Sequence, residues 1–273
     1  MRSLPLRLLY GSVFAFLALL CLLPFAWTAI LGTHSSNEIY TSFTLLPGRD
    51  TARNFATLMV DGWFAKAYLN SVVVTVSNTA FAVIFCAMAG FAFAKYRFPL
   101  SRVFFAVVLT TMMIPVQLGL VAFVWEMYKL RWVNTFLPLI LPGISNAFGV
   151  FWMKQYIEDG VPDELLEAAR MDGSSALRSF VYVVLPIVLP ASLSFGLVNF
   201  IWTWNGFLVP SLIIDRADLY TLPLMIRNMG NIYRQDYGAQ FLGISLGTIP
   251  TLALFVVMSR RLIEGITAGA LKG

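Results

Sequence analysis

The chain has 273 residues, of which 59% are hydrophobic and 12% charged, and its formal net charge is +5. A soluble domain averages about 45–50% apolar and 25% charged residues, so this composition excludes an ordinary globular enzyme. Two cysteines and 19 glycines exclude a disulfide scaffold and a collagen-like chain. Because a transmembrane helix needs about 20 apolar residues, we expect an all-α polytopic membrane protein with a single transmembrane domain over residues 1–273.

Six long stretches of the chain contain no Asp, Glu, Lys or Arg. They predict transmembrane helices over residues 8–31, 68–94, 103–125, 132–153, 187–214 and 237–259. The first follows Arg2 and Arg7 as a signal-peptide core would, but it is longer than the roughly 7–15 residues of such a core. We therefore expect it to be retained as the first of six helices.

The short loop between the second and third predicted spans orients the chain. It reads Lys95-Tyr-Arg97-Phe-Pro99, and the positive-inside rule is most reliable for short basic loops. An even number of spans leaves both termini on one side of the membrane. The pattern therefore predicts that both termini are cytoplasmic.

Sequence features of enzymes and ion-coupled carriers are missing. No GxxxxGK[ST] motif occurs, so the chain has no phosphate-binding loop of its own. The spans lack the carboxylates of a proton or sodium relay and the HExxH or Ser/His sets of an intramembrane enzyme. His34, the only histidine, indicates neither a metal site nor a catalytic dyad. We expect no catalytic residue and no metal, and a transporter of this kind must take its energy from a partner.

The segment 157–186, between the fourth and fifth predicted spans, forms a predicted elbow of two helices. Pro162 suits a first helical position and Gly173 a left-handed cap, which predicts a short helix from Asp163 to about Met171. Ser174 or Ser175 can cap a second helix that runs into Pro186. The first helix carries Leu165, Ala168 and Ala169 on one stripe.

A spaced motif lies within this elbow. Glu167-Ala168-Ala169 is followed after three residues by Gly173 and after nine more by Val183-Val184-Leu185-Pro186. This resembles the EAA-x3-G-x9-I-x-L-P signature of the membrane subunits of ABC importers, with Val183 where isoleucine is usual. Further similar stretches are Val161–Leu165, Arg170–Ser174, Trp204-Asn205, Tyr220–Pro223 and Gly265–Gly273. The whole chain is similar to the smaller permease of the maltose-type, carbohydrate-uptake class, except that Gly206 stands where relatives often carry a polar residue.

The resemblance implies a function for the elbow and a set of partners. The elbow would be a cytoplasmic coupling helix that docks on an ATPase subunit, with Glu167 paired to a basic residue there. The implied coupling residues are Glu167, Ala168, Ala169, Asp172, Gly173, Leu185 and Pro186. The implied partners are a second homologous permease, two ATP-binding subunits that hold ATP and Mg, an extracytoplasmic binding protein and membrane lipid. The chain itself would bind no cofactor and no nucleic acid, in a bacterial or archaeal cytoplasmic membrane.

The residues alone do not identify the solute or the side chains that contact it. A carbohydrate or carbohydrate derivative is the solute that the resemblance implies; the alternatives are a glycerol phosphodiester, a sugar acid or, outside the class, an ion-coupled carrier. Candidate solute contacts in the fifth span are Asn199, Trp202, Trp204 and Asn205, although aromatic residues in a span often only pack. The outer loop 215–237 is long enough to contact the binding protein, and its candidate contacts are Tyr220, Met225, Asn228 and Gly230.

Overall fold

A computed structural model describes residues 4–43, 45–232 and 236–270 of the chain. Residues 233–235 of the predicted outer loop and 271–273 of the terminal similarity lie outside the described residues. The described part contains helices and no strand. The helices are α1 Leu4–Leu31, α2 Ser36–Thr41, α3 Thr51–Met59, α4 Trp63–Lys95, α5 Ser101–Met112, α6 Leu120–Lys129, α7 Leu137–Ile140, α8 Ala147–Gly160, α9 Asp163–Met171, α10 Ala176–Ser179, α11 Leu185–Trp204, α12 Leu208–Ile213, α13 Leu222–Ile232 and α14 Tyr237–Ala270.

Four helical stretches are long and apolar enough to cross a membrane. They are Leu9–Leu31, Trp63–Lys95, Ala176–Trp204 and Tyr237–Met258, and a bent pair, Ser101–Met112 with Val116–Lys129, makes a fifth if it is one span. The all-helical membrane architecture is therefore present, with four or five candidate spans in the described residues. Six spans and cytoplasmic termini stay predictions.

The predicted third span, 103–125, is not one straight helix. The chain bends by 94° between Met112 and Val116. Pro115 has no amide hydrogen to donate, and a proline disfavours helical backbone in the residue before it, which is why α5 ends here. The apolar run indicated a membrane segment here, but it did not predict the change in direction of the helix axis.

The predicted fourth span, 132–153, is also interrupted. Within this range the short helix α7 and a 3₁₀ turn, Leu141–Gly143, come before α8, which begins after Asn146. Asn146 caps α8, since its side chain accepts a hydrogen bond from the Gly149 amide. The carbonyls of Leu139 and Ile140 instead accept hydrogen bonds from Asn78 Nδ2 at 3.4 and 2.9 Å. Irregular backbone at membrane depth needs such partners.

The predicted fifth span, 187–214, is shifted toward the N-terminus. A continuous helical stretch runs over Ala176–Trp204, and α12 follows as a separate short helix. Asn205 and Gly206 lie between them, and both have amides bonded back to carbonyls of the last turn, those of Ile201 and Thr203. The second arm of the elbow and this span thus form one continuous helical stretch.

The described chain divides into two compact units. The first consists of residues up to Tyr68 together with Leu222–Ile249, and the second consists of Leu69–Thr221 with the residues from Pro250. The core of the second unit joins α4, α8 and α11 through buried apolar side chains, among them Cys86, Met153 and Phe195. The segment 157–186 belongs to this second unit.

Candidate coupling site

The first arm of the elbow has the bounds that its local signals predict. α9 spans Asp163–Met171. Pro162 is its N-terminal cap and therefore lies one position before the first helical position that we expected for it. Gly173 has φ +77°, a left-handed conformation that glycine adopts without strain. Its amide bonds the Arg170 carbonyl at 3.0 Å, and the Ser174 amide bonds the Ala169 carbonyl at 2.9 Å. This pair of bonds is a Schellman motif, which ends the helix and turns the chain sharply.

The second arm begins at Ser175. Its side chain accepts a hydrogen bond from the Arg178 amide at 3.4 Å, so the cap is Ser175 and not Ser174. One turn later the helix widens into a π-helical segment, Phe180–Val184, before α11 begins at Leu185. Such π turns inside α-helices are rare and occur frequently at functional sites. Leu185 is half-buried and Pro186 exposed at this junction.

Four buried side chains anchor the elbow in the core of the second unit. Val161, Leu166, Phe180 and Val184 belong to the cluster that also contains residues of α4, α8 and α11. The Phe180 ring lies 5.6 Å from the ring of Phe91 on α4. Interiors packed this closely transmit displacement rather than absorb it. The elbow and these three apolar helices therefore share one packed core.

Polar contacts add to this anchorage at the end of α4. Lys95 Nζ lies 2.7 Å from Asp163 Oδ1, and the lysine side chain is largely buried. The hydrogen bond and charge of Lys95 lower the pKa of Asp163. The guanidinium of Arg170 stacks over the Tyr96 ring at 5.5 Å. Both ends of α9 are thus attached to the end of α4 and the loop that follows it.

The opposite face of α9 is exposed. Leu166 is the only residue of this helix that is buried, whereas Leu165, Glu167, Ala168 and Met171 are exposed and Ala169 is half-buried. The predicted stripe of Leu165, Ala168 and Ala169 therefore faces outward, and Leu166 is the inward residue that the sequence reading missed. A helix with acidic and apolar side chains pointing outward, anchored from behind, is suited to receive a protein partner.

The remaining coupling residues have structural positions in the same turn. Asp172 is the cap of α9, with its amide bonded to the carbonyls of Ala168 and Arg170. Ser179, which sequence reasoning did not single out, is buried and bonds Ser174 Oγ at 3.2 Å. The seven implied coupling residues thus lie on one elbow, with Leu185 and Pro186 at its far end.

The structure does not bring the four candidate solute contacts together. Asn199 is buried, Trp204 is buried and stacked on Phe200 at 5.8 Å, and Trp202 is exposed and packs near Phe148 at 5.3 Å. Asn205 uses its side-chain amide to bond the Ile201 carbonyl at 2.8 Å. The two buried side chains do not line an open pathway in this conformation of the chain.

Asn199 instead belongs to a cluster of amide side chains that includes two residues the sequence reading missed. Its Nδ2 donates to Asn78 Oδ1 at 2.9 Å, and Asn146 Nδ2 donates to its Oδ1 at 3.3 Å. Thr203 Oγ1 also donates to Asn78 Oδ1, at 3.1 Å. This cluster connects α4, the break before α8 and α11. The sequence signal for it was that polar residues within apolar spans usually have a specific role.

The candidate contacts of the outer loop are divided. Met225 is buried at 4% exposure, so the interpretation of its side chain as a surface contact is wrong for this conformation. It lies on the inner face of amphipathic α13 with Leu222 and Met229, a burial that depends on residues distant in sequence. Tyr220 and Asn228 are half-exposed. Tyr220 Oη donates to the Asp215 carbonyl at 3.4 Å, and Gly230 falls within α13.

Comparison with known proteins gives one family. The family described as "Binding-protein-dependent transport system inner membrane component" matches residues 82–266. The arabinooligosaccharides transport system permease protein AraQ of Halalkalibacterium halodurans is 30% identical over 264 residues, covering 95% of this chain and 94% of AraQ. The sn-glycerol-3-phosphate transport system permease protein UgpE of Escherichia coli is 30% identical over 254 residues, covering 90% of each.

A solved structure shares the fold. It is a bacterial ABC transporter involved in the import of the acidic polysaccharide alginate, and one of its chains superposes with a TM-score of 0.80 at 21% identity. The alignment covers 95% of this chain and 98% of that one.

The matched region contains the whole elbow and more than half of the chain. The chain therefore belongs to the binding-protein-dependent transport system inner membrane component family. It is an integral membrane permease subunit of an ABC importer and works in a complex with other subunits. It is a transport component and not an enzyme.

Proposed function

We propose that this permease moves a carbohydrate or carbohydrate derivative through the membrane, driven by ATP hydrolysis in partner subunits. The observation that carries the proposal is the elbow, in which α9 is anchored from behind by Val161, Leu166 and Lys95 while its other face is exposed. The relative named for arabinooligosaccharides supports the assignment of a carbohydrate as the solute.

In this proposal the elbow transmits motion between the ATPase and the membrane helices. Glu167 and its neighbours dock in a recess of an ATPase subunit, where the carboxylate pairs with a basic residue. Rigid-body rotation of that subunit then moves the elbow as one piece. Because Phe180 and Val184 lie in the same core as α4 and α8, the movement shifts those helices relative to their neighbours. A flexible loop would absorb the rotation.

The complex that this function needs contains a second homologous permease, two ATP-binding subunits and an extracytoplasmic binding protein. ATP and Mg bind to the ATP-binding subunits, and this chain contacts those subunits through the elbow. The complex resides in a bacterial or archaeal cytoplasmic membrane, with six spans and both termini cytoplasmic. The basic loop at Lys95 and Arg97 supports this orientation. Reporter fusions after Lys95 and after Asn228 should report opposite sides.

The outer loop 215–237 contacts the binding protein in this proposal, through Tyr220, Asn228 and Gly230. The solute passes near Trp202 and Asn205, whose exposed positions support this role. Asn199 acts by positioning, since it holds the backbone break at residues 139–146 against α11 through Asn78 and Asn146.

A related polar solute is the second candidate, and UgpE, named for sn-glycerol-3-phosphate, favours it. Transport assays in proteoliposomes distinguish these possibilities. The assembled importer, with its binding protein inside or outside the vesicle as orientation requires, should accumulate an arabinooligosaccharide only with ATP. Accumulation driven by an ion gradient without ATP would contradict the proposal, and accumulation of glycerol 3-phosphate alone would select the second candidate.

A further inference from the structure

Residues 214–221 connect α12 to α13 and form the first part of the outer loop. Ile214 and Thr221, at the two ends of this segment, are buried, whereas Asp215 and Arg216 are exposed. The segment contains one 3₁₀ turn, Ala217–Leu219. Loops are usually more mobile than the helices that they connect. The contacts that hold this loop in one conformation therefore need a reason.

The side chain of Asn134 holds the first half of the segment. Asn134 lies between α6 and α7, and its Oδ1 accepts hydrogen bonds from the amides of Asp215 at 2.7 Å and Arg216 at 3.2 Å. Its own amide donates to the Ile213 carbonyl at 3.0 Å. Asn134 has φ +58°, a left-handed conformation that asparagine tolerates better than most residues. One residue thus fixes three consecutive peptide groups.

The side chain of Asn70 holds the second half of the segment. Asn70 lies near the start of α4 and is buried. Its Nδ2 donates to the carbonyls of Asp218 and Tyr220, each at 3.0 Å. A side-chain amide nitrogen carries two hydrogens, so both donors of Asn70 are used on this segment. Asn70 and Asn134 therefore hold the segment from two different elements of the second unit.

The segment presents polar side chains whose positions are also fixed. Arg216 and Asp218 form a paired contact, with Nε to Oδ1 at 3.0 Å and Nη2 to Oδ2 at 2.7 Å. The arginine side chain is mostly exposed. Tyr220 Oη donates to the backbone of the same segment. A surface that is already ordered loses little conformational entropy when a partner binds to it.

We propose that Asn70 and Asn134 are positioning residues, which hold residues 214–221 in the conformation that the extracytoplasmic binding protein recognises. This role rests on the proposed function, in which the outer loop contacts that protein. Both asparagines act through the backbone of the segment. Without either one, the segment would occupy the recognised conformation for a smaller fraction of the time, and its apparent affinity for the binding protein would fall by that fraction. A loop that only joined two helices would need no fixed conformation.

The same substitution should have opposite effects at the two asparagines. Asn134 uses its side-chain oxygen as an acceptor, and aspartate keeps that oxygen and also tolerates left-handed backbone. Asn70 uses its side-chain nitrogen as a donor, and an ionised aspartate has no hydrogen to donate. Asn134→Asp should therefore preserve the conformation of the segment, whereas Asn70→Asp should release it.

Three further variants complete the set. Asn70→Leu keeps a side chain of similar size without a donor. Asn134→Gly permits the left-handed backbone but removes the acceptor. Asn37→Asp makes the same chemical change at an exposed asparagine of the first unit and is the matched control.

Titration of fluorescently labelled binding protein onto the assembled transporter in nanodiscs gives the dissociation constant for each variant. We expect Asn70→Asp, Asn70→Leu and Asn134→Gly to raise it about tenfold, which corresponds to about 1.4 kcal/mol and to the loss of one or two hydrogen bonds. Asn134→Asp and Asn37→Asp should leave it unchanged. The rate of ATP hydrolysis at saturating binding protein should be the same in all variants, because the segment is not part of the coupling elbow.

A crosslink separates the positioning role from the contact on which it rests. The thiol is placed by Asp215→Cys in a chain that also carries Cys21→Ser. If it crosslinks to the binding protein, the contact is present, and an unchanged dissociation constant in Asn70→Leu and Asn134→Gly would overturn the positioning role alone. Absence of a crosslink at both Asp215→Cys and Asn228→Cys would refute the contact and the positioning role together.

Two other results would also contradict the positioning role. Loss of maximal ATP hydrolysis in parallel with loss of affinity would give the asparagines a general structural role instead. An equal loss of affinity in Asn134→Asp and Asn134→Gly would show that the hydrogen bonds accepted by this side chain do not hold the segment.

Discussion

Two short helices of similar length, α9 and α13, connect apolar spans of this permease and differ in what they bury. α9 buries only Leu166 and leaves most of its other side chains exposed. α13 buries a whole face, with Leu222, Leu224, Met225, Ile226 and Met229 all at 9% exposure or less. The first helix is attached by few contacts and offers most of its surface to a partner. The second is part of the core of its own unit.

The difference shows why amphipathic sequence alone does not identify a docking helix. Both helices carry apolar residues that could face a partner, but α13 uses most of them for internal packing. In α9 the exposed apolar side chains Leu165 and Met171 have no such use within the described residues. Met171 is 88% exposed, so its side chain is available for contact with a partner.

The largest expected effect comes from two adjacent leucines of α9. Leu166→Ala removes the one buried side chain and should destabilise the packing of the elbow by about 2–5 kcal/mol. Leu165→Ala, the matched control, removes an exposed side chain and should change stability by about 0.5 kcal/mol or less. Thermal midpoints of the purified full-length variants in one detergent measure both. Equal shifts would show that the burial pattern of α9 is different from the one described.

The second effect concerns partner binding and not stability. Glu167→Ala should weaken docking of the ATPase by about 1.5–3 kcal/mol, the range for hydrogen bonds to charged groups, and reduce solute-stimulated ATP hydrolysis. Glu164→Ala removes the same charge from the first turn of the same helix and serves as the control. A loss of stimulation that is the same for both variants would indicate a general charge effect instead of a specific contact.

The third effect tests the turn that ends α9. A side chain at Gly173 would meet open space, so only its φ of +77° opposes substitution. Gly173→Leu should therefore cost about 1–2 kcal/mol, and Gly173→Asn less, because asparagine tolerates this conformation better. At Gly160, where a Cβ also meets open space and φ is not positive, Gly160→Ala should be neutral or stabilising. ATP hydrolysis and thermal midpoints together report these changes.

The elbow was predictable because its signals are local. Gly173 and Ser175 stop and start helices through bonds to residues within five positions, so the bounds of α9 follow from the sequence around it. The breaks near Pro115 and Asn146 were missed, because an apolar run predicts burial in lipid and says little about helix continuity. The asparagine cluster joins Asn78, Asn146 and Asn199 across more than a hundred residues, and pairing over that distance has no local signal.

The smallest effect concerns polar contacts within the first unit, to which α13 also belongs. His34 Nδ1 lies 3.0 Å from Glu38 Oε2, and its Nε2 lies 2.9 Å from the Leu46 carbonyl. Both neighbours accept hydrogen bonds, which favours the doubly protonated ring. The Leu46 carbonyl, and then Glu38, raise the pKa of His34 above its ordinary value of 6.5, against the opposing effect of burial.

A raised pKa means that protonation stabilises the folded state. The contribution of His34 is complete below the unfolded pKa of 6.5 and is lost as pH rises through the higher folded pKa. Glu38, whose pKa is lowered, loses its contribution only in acid and does not interfere in this range. The thermal midpoint should therefore fall between about pH 6 and 8, and His34→Gln should flatten that slope. An unchanged slope in the His34→Gln variant would show that His34 does not cause this pH dependence of the thermal midpoint.

Cysteine crosslinking in the assembled transporter tests the contrast between the two helices most directly. In a background with Cys21→Ser, where the remaining Cys86 is buried, Ala168→Cys and Asn228→Cys place one thiol on the exposed surface of α9 and one on α13. The account predicts that Ala168→Cys crosslinks to an ATPase subunit and Asn228→Cys to the binding protein. Absence of any ATPase crosslink at Ala168→Cys, in a complex that still transports its solute, would contradict the coupling role of α9.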